Sequence, residues 1–274
     1  MSTKKRHIWI TGASGCIGHY VLDQLLPRED LHLHLLARDP KRIRRPIDTA
    51  GNVSIHQGNL SEIEAHLDTI SEMDAMIHIA TDWSNSDYAH HLNVTKTKIM
   101  MDALDLKKVQ KILYFSTASI LGPQNQPVPE AGKYGSGYIR SKYHAYFELK
   151  KQAYADQLVT LFPTMVFGGD PTHPYSHISQ GIVPNQRYLK WLRFLNVTGH
   201  FHFMHSQDIA TVTTHLLDHP APNQDLVLGF APISIQETLR ALCESFQIKI
   251  PFQIPVSSQS ILRLAKLLRV EMGP

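Results

Sequence analysis

The chain has 274 residues, of which 43% are hydrophobic and 19% charged, and its formal net charge is +3. That length and composition give a chain able to bury a large core and exclude a disordered one. The basic residues do not gather into one long run, which argues against nucleic acid as a partner. Cys16 and Cys243 lie far apart, so no disulfide framework is expected and a reducing compartment fits. Lys4-Lys5-Arg6 precedes only Ile8-Trp9-Ile10 before glycines begin, too short an apolar run for a signal peptide, and no stretch has the length to span a bilayer. The expected location is the cytoplasm.

Ile8-Trp9-Ile10 runs into Thr11-Gly12-Ala13-Ser14-Gly15-Cys16-Ile17-Gly18, and the amphipathic segment Tyr20-Val21-Leu22-Asp23-Gln24-Leu25-Leu26 follows at once. This reads as strand, tight turn and helix. Gly12 can take a positive φ, Gly15 keeps a side chain away from a pyrophosphate, and Gly18 lets the helix pack closely. The helix N-terminus then presents free N–H groups and a positive dipole end to the anion.

Leu31 to Ala37 reads as a second strand, ending at Arg38-Asp39-Pro40-Lys41-Arg42. In a dinucleotide fold the adenosine ribose sits at this strand end. An arginine there suits a 2′-phosphate through a bidentate, charge-assisted bond, so NADP(H) is preferred. Asp39 keeps open a contact to a free ribose hydroxyl, so NAD(H) remains possible, and a solvated basic loop is the plainer alternative.

Val53 to His56 is a third strand, followed by Asn59-Leu60, and Ser61-Glu62-Ile63-Glu64 has capping-box spacing that predicts a helix start. Met76-Ile77-His78-Ile79-Ala80 has the continuous apolar character of a parallel strand buried on both faces. A long helix is expected over about 88–106, then a strand at Lys111 to Phe115. The alternation predicts a doubly wound parallel α/β sheet, a Rossmann fold.

That strand ends in Ser116-Thr117-Ala118-Ser119, where ligands bind in open α/β sheets. A loop from Gly122 to Gly137 leads to Tyr138-Ile139-Arg140-Ser141-Lys142, opening a helix expected to reach about Tyr154. Tyr138 and Lys142 share a helix face. A nearby ammonium and a positively charged nicotinamide would stabilise a phenolate and lower the tyrosine pKa, giving a group that passes protons to or from a carbonyl oxygen. Thr117 is positioned to hold the substrate oxygen.

His200, His202 and His205 lie close in sequence, and His173 and His177 are four apart, yet neither set carries a full ligand complement, so no metal is expected. Arg187, Lys190 and Arg193 fit one solvated helix face. In the tail, Leu226-Val227-Leu228 is a strand, Ser234-x-x-Glu237 caps a helix, and Ile261 to Arg269 reads as a last amphipathic helix.

These motifs together resemble an extended short-chain dehydrogenase/reductase, the NAD-dependent epimerase/dehydratase group. The matching segments are Thr11-Gly12-x-x-Gly15-x-x-Gly18, Asn59-Leu60, His78-Ile79-Ala80, Asn93-Val94, Ser116-Thr117 before Gly122, Tyr138-x-x-Ser141-Lys142, Pro163-Thr164-x-Val166-Phe167-Gly168, and His205-Ser206-Gln207-Asp208-Ile209-Ala210. Arg38-Asp39-Pro40 further resembles the NADP-dependent reductases related to dihydroflavonol reductase. The resemblance implies Thr117, Tyr138 and Lys142 as catalytic residues, with Ser116 and Ser119 as fallbacks for Thr117. It also implies a dinucleotide held by Gly12, Ser14, Gly15, Cys16, Ile17, Gly18, Arg38, Asn59, Leu60, Ala80, Tyr138, Lys142 and Pro163. Asn59 stands where an aspartate is usual, and Phe162 where an arginine often precedes the proline.

The expected organisation is a dinucleotide-binding domain over 1–168 with 206–230 returning to it, and a smaller substrate lobe from 169–205 and 231–274. The expected activity is NADP(H)-dependent reduction of a carbonyl, or oxidation of a secondary alcohol, of a small molecule. Sugar-nucleotide epimerisation or dehydration is the alternative, and a non-catalytic NADP(H)-binding regulator a third. A homodimer is possible.

Overall fold

A computed structural model describes residues 4–47, 50–84, 87–221 and 224–256. The first half of the chain gives strands β1 (Arg6–Thr11), β2 (Leu31–Ala37), β3 (Val53–Gln57), β4 (Ala75–His78) and β5 (Lys111–Phe115). Between them lie helices α1 (Cys16–Leu25), α2 (Leu67–Ser71), α3 (Asp87–His90) and α4 (Thr97–Asp102). The second half gives α5 (Pro129–Tyr134), α6 (Gly137–Leu149), β6 (Leu158–Pro163), β7 (Met165–Phe167), α7 (His177–Leu192), β8 (Leu195–Val197), β9 (His200–Phe201) and β10 (Phe203–His205). It ends with α8 (Ser206–Asp218), β11 (Asp225–Leu228), β12 (Ile233–Ser234), α9 (Ile235–Ser245) and β13 (Ile254–Val256).

Seven strands form one sheet in the order β11-β6-β5-β4-β1-β2-β3, and every pairing in it is parallel. The strand pattern explains the two layers of helix. Ile8 and Ile10 alternate with Trp9, so β1 feeds two separate cores. On one face Ile8, Ile10, Leu33, Leu35 and Ile77 pack with Val21, Leu22 and Leu25 of α1 and Ile209 and Leu216 of α8. On the other Trp9, Met76, Ile112 and Tyr114 pack with Met100 and Met101 of α4 and Ala145 and Leu149 of α6. The order reverses at β1–β4, and in such sheets the crevice beyond the strand ends at this reversal is where ligands bind. Three two-stranded pairs lie outside the sheet: β10 with β7, β12 with β9, and β13 with β8.

Several sequence expectations shift in detail. Asn59, not Ser61, caps the segment after β3, its side chain accepting from Ser61 N at 3.4 Å. That segment begins as a 3-10 helix over Leu60–His66 before turning into α2. The long helix runs from α3 to α4 through a π-helical stretch, His91–Lys96, and stops at Asp102 rather than near 106. The loop Gly122 to Gly137 contains α5, started by Pro129 at its first turn. Helix α6 ends at Leu149, short of Tyr154, which is instead buried in the second core. The Ser234–Glu237 capping box is present as read. The amphipathic segment Ile261 to Arg269 lies outside the described residues.

Histidines line the N-terminal part of the sheet. His7 Nδ1 meets His34 Nε2 at 2.9 Å, His34 Nδ1 meets His56 Nε2 at 3.0 Å, and His32 Nε2 meets Ser54 Oγ at 2.8 Å. Burial, then the neighbouring imidazoles, pushes His34 down to about 4, and burial lowers His32 and His56 as well. His78, fully enclosed, is pushed down to about 3. A histidine whose folded pKa is depressed binds its proton in the unfolded chain first. Stability is therefore full above the unfolded value of about 6.5 and is lost as pH falls from there toward the folded values. The melting temperature is expected to drop steadily between pH 7 and pH 5, and less steeply in His34→Asn. A melting temperature that is the same at both pH values contradicts the ladder's role.

Candidate active site

The glycine turn is built by close approach. Gly12 has φ +80°, and a Cβ there would lie 2.7 Å from Ala80 N. A Cβ on Gly18 would lie 2.7 Å from Ala13 Cα, so this glycine brings α1 against the turn itself rather than against β1. Gly15 N donates to Gly12 O at 3.0 Å, and Gly15 is the N-cap of α1 without any side-chain cap. The first-turn N–H groups of Cys16 and Ile17 are thus left open toward the turn, the arrangement an anionic pyrophosphate needs. Ser14 sits half-buried inside the same turn. These residues fit a bound dinucleotide.

Buried polar contacts fix the cradle. His19, fully buried, donates from Nδ1 to Gly15 O at 2.8 Å and accepts at Nε2 from Arg44 N at 3.0 Å. It ties the turn to the basic loop after β2. Cys16 Sγ lies 3.1 Å from Ser206 Oγ, and Ser206 donates to Phe167 O at 3.0 Å. Burial pushes the Cys16 thiol up, away from thiolate chemistry. Ala80 N donates to Thr11 Oγ1 at 3.2 Å, and Thr11 also meets His78 Nδ1 at 2.7 Å.

Arg38 follows β2 directly and is exposed, as are Lys41, Arg42 and Arg44. Neighbouring Arg45 is instead paired with Asp23 and donates to Thr172 O at 3.0 Å. Asp39 spends its carboxylate on Lys41 N at 3.1 Å, capping the turn Pro40–Arg42. Asn59 uses its oxygen as a cap, Leu60 is buried beside it, and Pro163 ends β6 next to Leu228 of β11.

Tyr138 and Lys142 stand on α6, whose N-cap Ser136 accepts from Ile139 N at 3.4 Å. Lys142 is 1% exposed, donates from Nζ to Phe115 O at 2.7 Å, and lies 4.9 Å over the Tyr114 ring. Burial brings its ammonium down to about 7. Tyr138 is buried and hydrogen-bonded to Thr117. Burial pushes its phenol well above the ordinary value, with the Thr117 bond a smaller opposing effect. The expected lowering by Lys142 is therefore not what the protein alone produces: desolvation raises Tyr138 and lowers Lys142, favouring the neutral form of each. Thr117 Oγ1 also donates to Ser119 Oγ and accepts from Ser119 N, both at 3.2 Å. Ser116, buried, has no hydrogen-bond partner for its Oγ among the described residues.

The loop after β4 completes the site. Asn93, 2% exposed in the π-helical stretch, accepts from Thr81 Oγ1 at 3.1 Å and Asp82 N at 2.8 Å. It donates to Asp82 O at 2.8 Å and Ser141 Oγ at 2.9 Å. Ser141 in turn donates to Tyr138 O at 2.7 Å. The loop so held lays Trp83 flat on Tyr138, ring centroids 4.0 Å apart and planes 22° apart. No group of three metal-ligating side chains comes together among the described residues. His202 Nδ1 is taken by Phe230 O at 2.8 Å.

The profile of the NAD dependent epimerase/dehydratase family matches residues 8–229. The chain belongs to this family. The family is one of NAD(P)-dependent enzymes of the extended short-chain dehydrogenase/reductase type, and the seven-stranded parallel sheet is its Rossmann fold. The hybrid PKS-NRPS synthetase traA of Penicillium crustosum is 26% identical over 164 residues, which cover 52% of this chain but 4% of the synthetase. The terminal R domain from the myxalamid PKS-NRPS biosynthetic pathway is 17% identical with a TM-score of 0.75, over 99% of this chain and 77% of that one. WbmG of Bordetella bronchiseptica, solved with NAD and UDP, is 17% identical with a TM-score of 0.69, over 93% of this chain and 82% of that one. No described helix is long and apolar enough to cross a membrane.

Within this family site, sequence reading missed Trp83 and His19 and gave Asn93 no structural task. For His19 a signal existed, since it lies four residues after Gly15 and so one helical turn from its carbonyl. For Trp83 there was none, because its partner is 55 positions away in the chain. Gly18→Ala is expected to cost about 1–3 kcal/mol by overpacking the turn and to weaken dinucleotide binding at least several-fold. Thermal melts and a fluorescence titration with NADPH check both, and unchanged values contradict the packing role.

Proposed function

We propose that the enzyme is an NADP(H)-dependent oxidoreductase that reduces a carbonyl of a small molecule, running the reverse oxidation where equilibrium allows. The observation that carries this reading is the buried Tyr138 phenol, bonded to Thr117 and one helical turn from the buried Lys142. A protonated phenol is ready to donate to the oxygen of a carbonyl as it gains negative charge. When bound, the dinucleotide supplies the hydride at the carbonyl carbon. Tyr138 gives its proton to the carbonyl oxygen, and Thr117 orients that oxygen. Lys142, fixed by Phe115 O, supports the pair and holds the nicotinamide ribose. As the Tyr138 proton leaves, the phenolate that forms is stabilised by Lys142 in its protonated form.

The turn residues Gly12, Ser14, Gly15, Cys16, Ile17 and Gly18 receive the pyrophosphate, with Asn59, Leu60, Ala80 and Pro163 lining the rest of the dinucleotide path. NADP(H) rather than NAD(H) is supported by the basic loop. Arg38, Lys41 and Arg42 are exposed with no acidic partner among the described residues, and Asp39 is turned to its own backbone. A 2′-phosphate supplies the missing anion, and Arg38 is the group that reaches it from the strand end. The smaller lobe over 169–205 and 231–274 is the substrate side of this scheme. A sugar-nucleotide reading finds less support there. Arg187 donates to Tyr188 Oη at 3.0 Å and Arg193 to Lys249 O at 2.9 Å, so both are engaged within the protein.

Tyr138→Phe is expected to lower NADPH-dependent carbonyl reduction at least about a hundredfold, the scale of general acid catalysis, with the NADPH Kd changed less than threefold. Retained turnover removes Tyr138 from the mechanism. In the same titrations NADPH should bind tighter than NADH, and Arg38→Ala should erase most of that difference. Equal affinities in the wild type overturn the cofactor assignment.

A further inference from the structure

Trp83 presents an anomaly. It is 54% exposed, while the tyrosine beneath it is 8% exposed. A large indole left at the surface would ordinarily gain by sinking into a core. Instead its backbone is pinned. Asn93 takes hydrogen bonds from Thr81 Oγ1 and Asp82 N and gives one to Asp82 O, which anchors the loop immediately before the indole. Asn93 also bonds Ser141 on α6, the helix that carries Tyr138. Loop and helix are therefore one unit, and the stack is a built contact.

A third ring, from α7, joins the stack. His177, the first residue of α7, sits 4.8 Å from the Trp83 ring with the planes 52° apart. It is itself exposed. The phenol, the indole and the imidazole thus form a continuous aromatic wall, reaching from the Tyr138 hydroxyl out toward solvent. An apolar π-surface held rigid and half open beside a proton donor is complementary to a flat, electron-rich or conjugated skeleton, which gains stacking on top of apolar burial.

We propose that Trp83, with His177, is the platform that selects the substrate, and that the substrate is a carbonyl carried on an aromatic or conjugated ring. This rests on the carbonyl-reductase reading above and narrows it. The ring of the substrate stacks on the exposed portion of the indole, and its carbonyl reaches Tyr138 and Thr117. Trp83 is a specificity-determining residue in this scheme, and Asn93 is a positioning residue that acts through it.

The test compares benzaldehyde with cyclohexanecarbaldehyde, two aldehydes of similar size that differ in the ring's π-face. Each is assayed with NADPH in the wild type, Trp83→Ala and Trp83→Phe. The readout is the ratio of the two kcat/KM values, which a merely structural loss leaves unmoved because it lowers both alike. One aromatic contact is worth about a two- to tenfold preference. The wild type should favour benzaldehyde by that factor, Trp83→Ala should bring the ratio near one, and Trp83→Phe should keep most of it. A ratio that survives in Trp83→Ala overturns the platform while leaving the reductase reading intact. If the wild type reduces neither aldehyde, the reductase reading fails, and the platform is judged by binding alone, using calorimetric titration of the same aldehydes. Benzaldehyde bound more tightly by the wild type than by Trp83→Ala upholds it, and equal affinity overturns it.

Discussion

The site depends on one costly arrangement, a lysine ammonium taken out of water. Lys142 is almost wholly buried, and its Nζ is satisfied by the carbonyl of Phe115 at the end of β5 and by the face of Tyr114. A buried cation of this kind persists only where the surrounding structure fixes its partners. Here the partners are a strand end and a core aromatic, so α6 is locked to the sheet at one azimuth. That azimuth puts Tyr138, one turn earlier, against Thr117 at the same strand end. The strand explains the hydroxyl, the helix explains the phenol, and the lysine explains why they meet.

The same constraint shapes the electrostatics. Desolvation pushes Tyr138 up and Lys142 down, so each group alone favours its neutral form. A proton donor and a latent cation then sit side by side. Charge develops on the phenol only as its proton leaves, and the protonated form of Lys142 offsets that charge. This is the physical content behind the proposed reductive direction. The aromatic cover from Trp83 belongs to the same economy, since it keeps water from the phenol face without adding a charge that would disturb it.

Much of this was legible in the residues. Alternating strands and helices predicted the doubly wound sheet, and three glycines three apart marked the cradle. Tyr138 and Lys142 stood out because helical spacing alone puts them on one face. Local geometry carried each of these. What the sequence hid was set by tertiary packing. Asn59 caps in place of Ser61, its side chain accepting from the Ser61 amide, and Pro129 started a helix where glycines and prolines suggested only loop. The π-helical turn that aims Asn93 is a register shift with no periodic signature. Trp83 carries no such signal, because nothing along the chain tells that Tyr138 is its neighbour. The shift of Tyr138 upward was hidden for the same reason: spacing shows the lysine but not how thoroughly both groups are buried.

The claim at the centre is that burial holds Tyr138 as a phenol. It is tested most directly by ultraviolet difference titration of the wild type against Tyr138→Phe, which isolates the phenolate absorbance of this single tyrosine. The account predicts that Tyr138 is still unionised at about pH 10, where an ordinary tyrosine is half titrated. A phenolate signal from this residue already half developed below about pH 9 would contradict it.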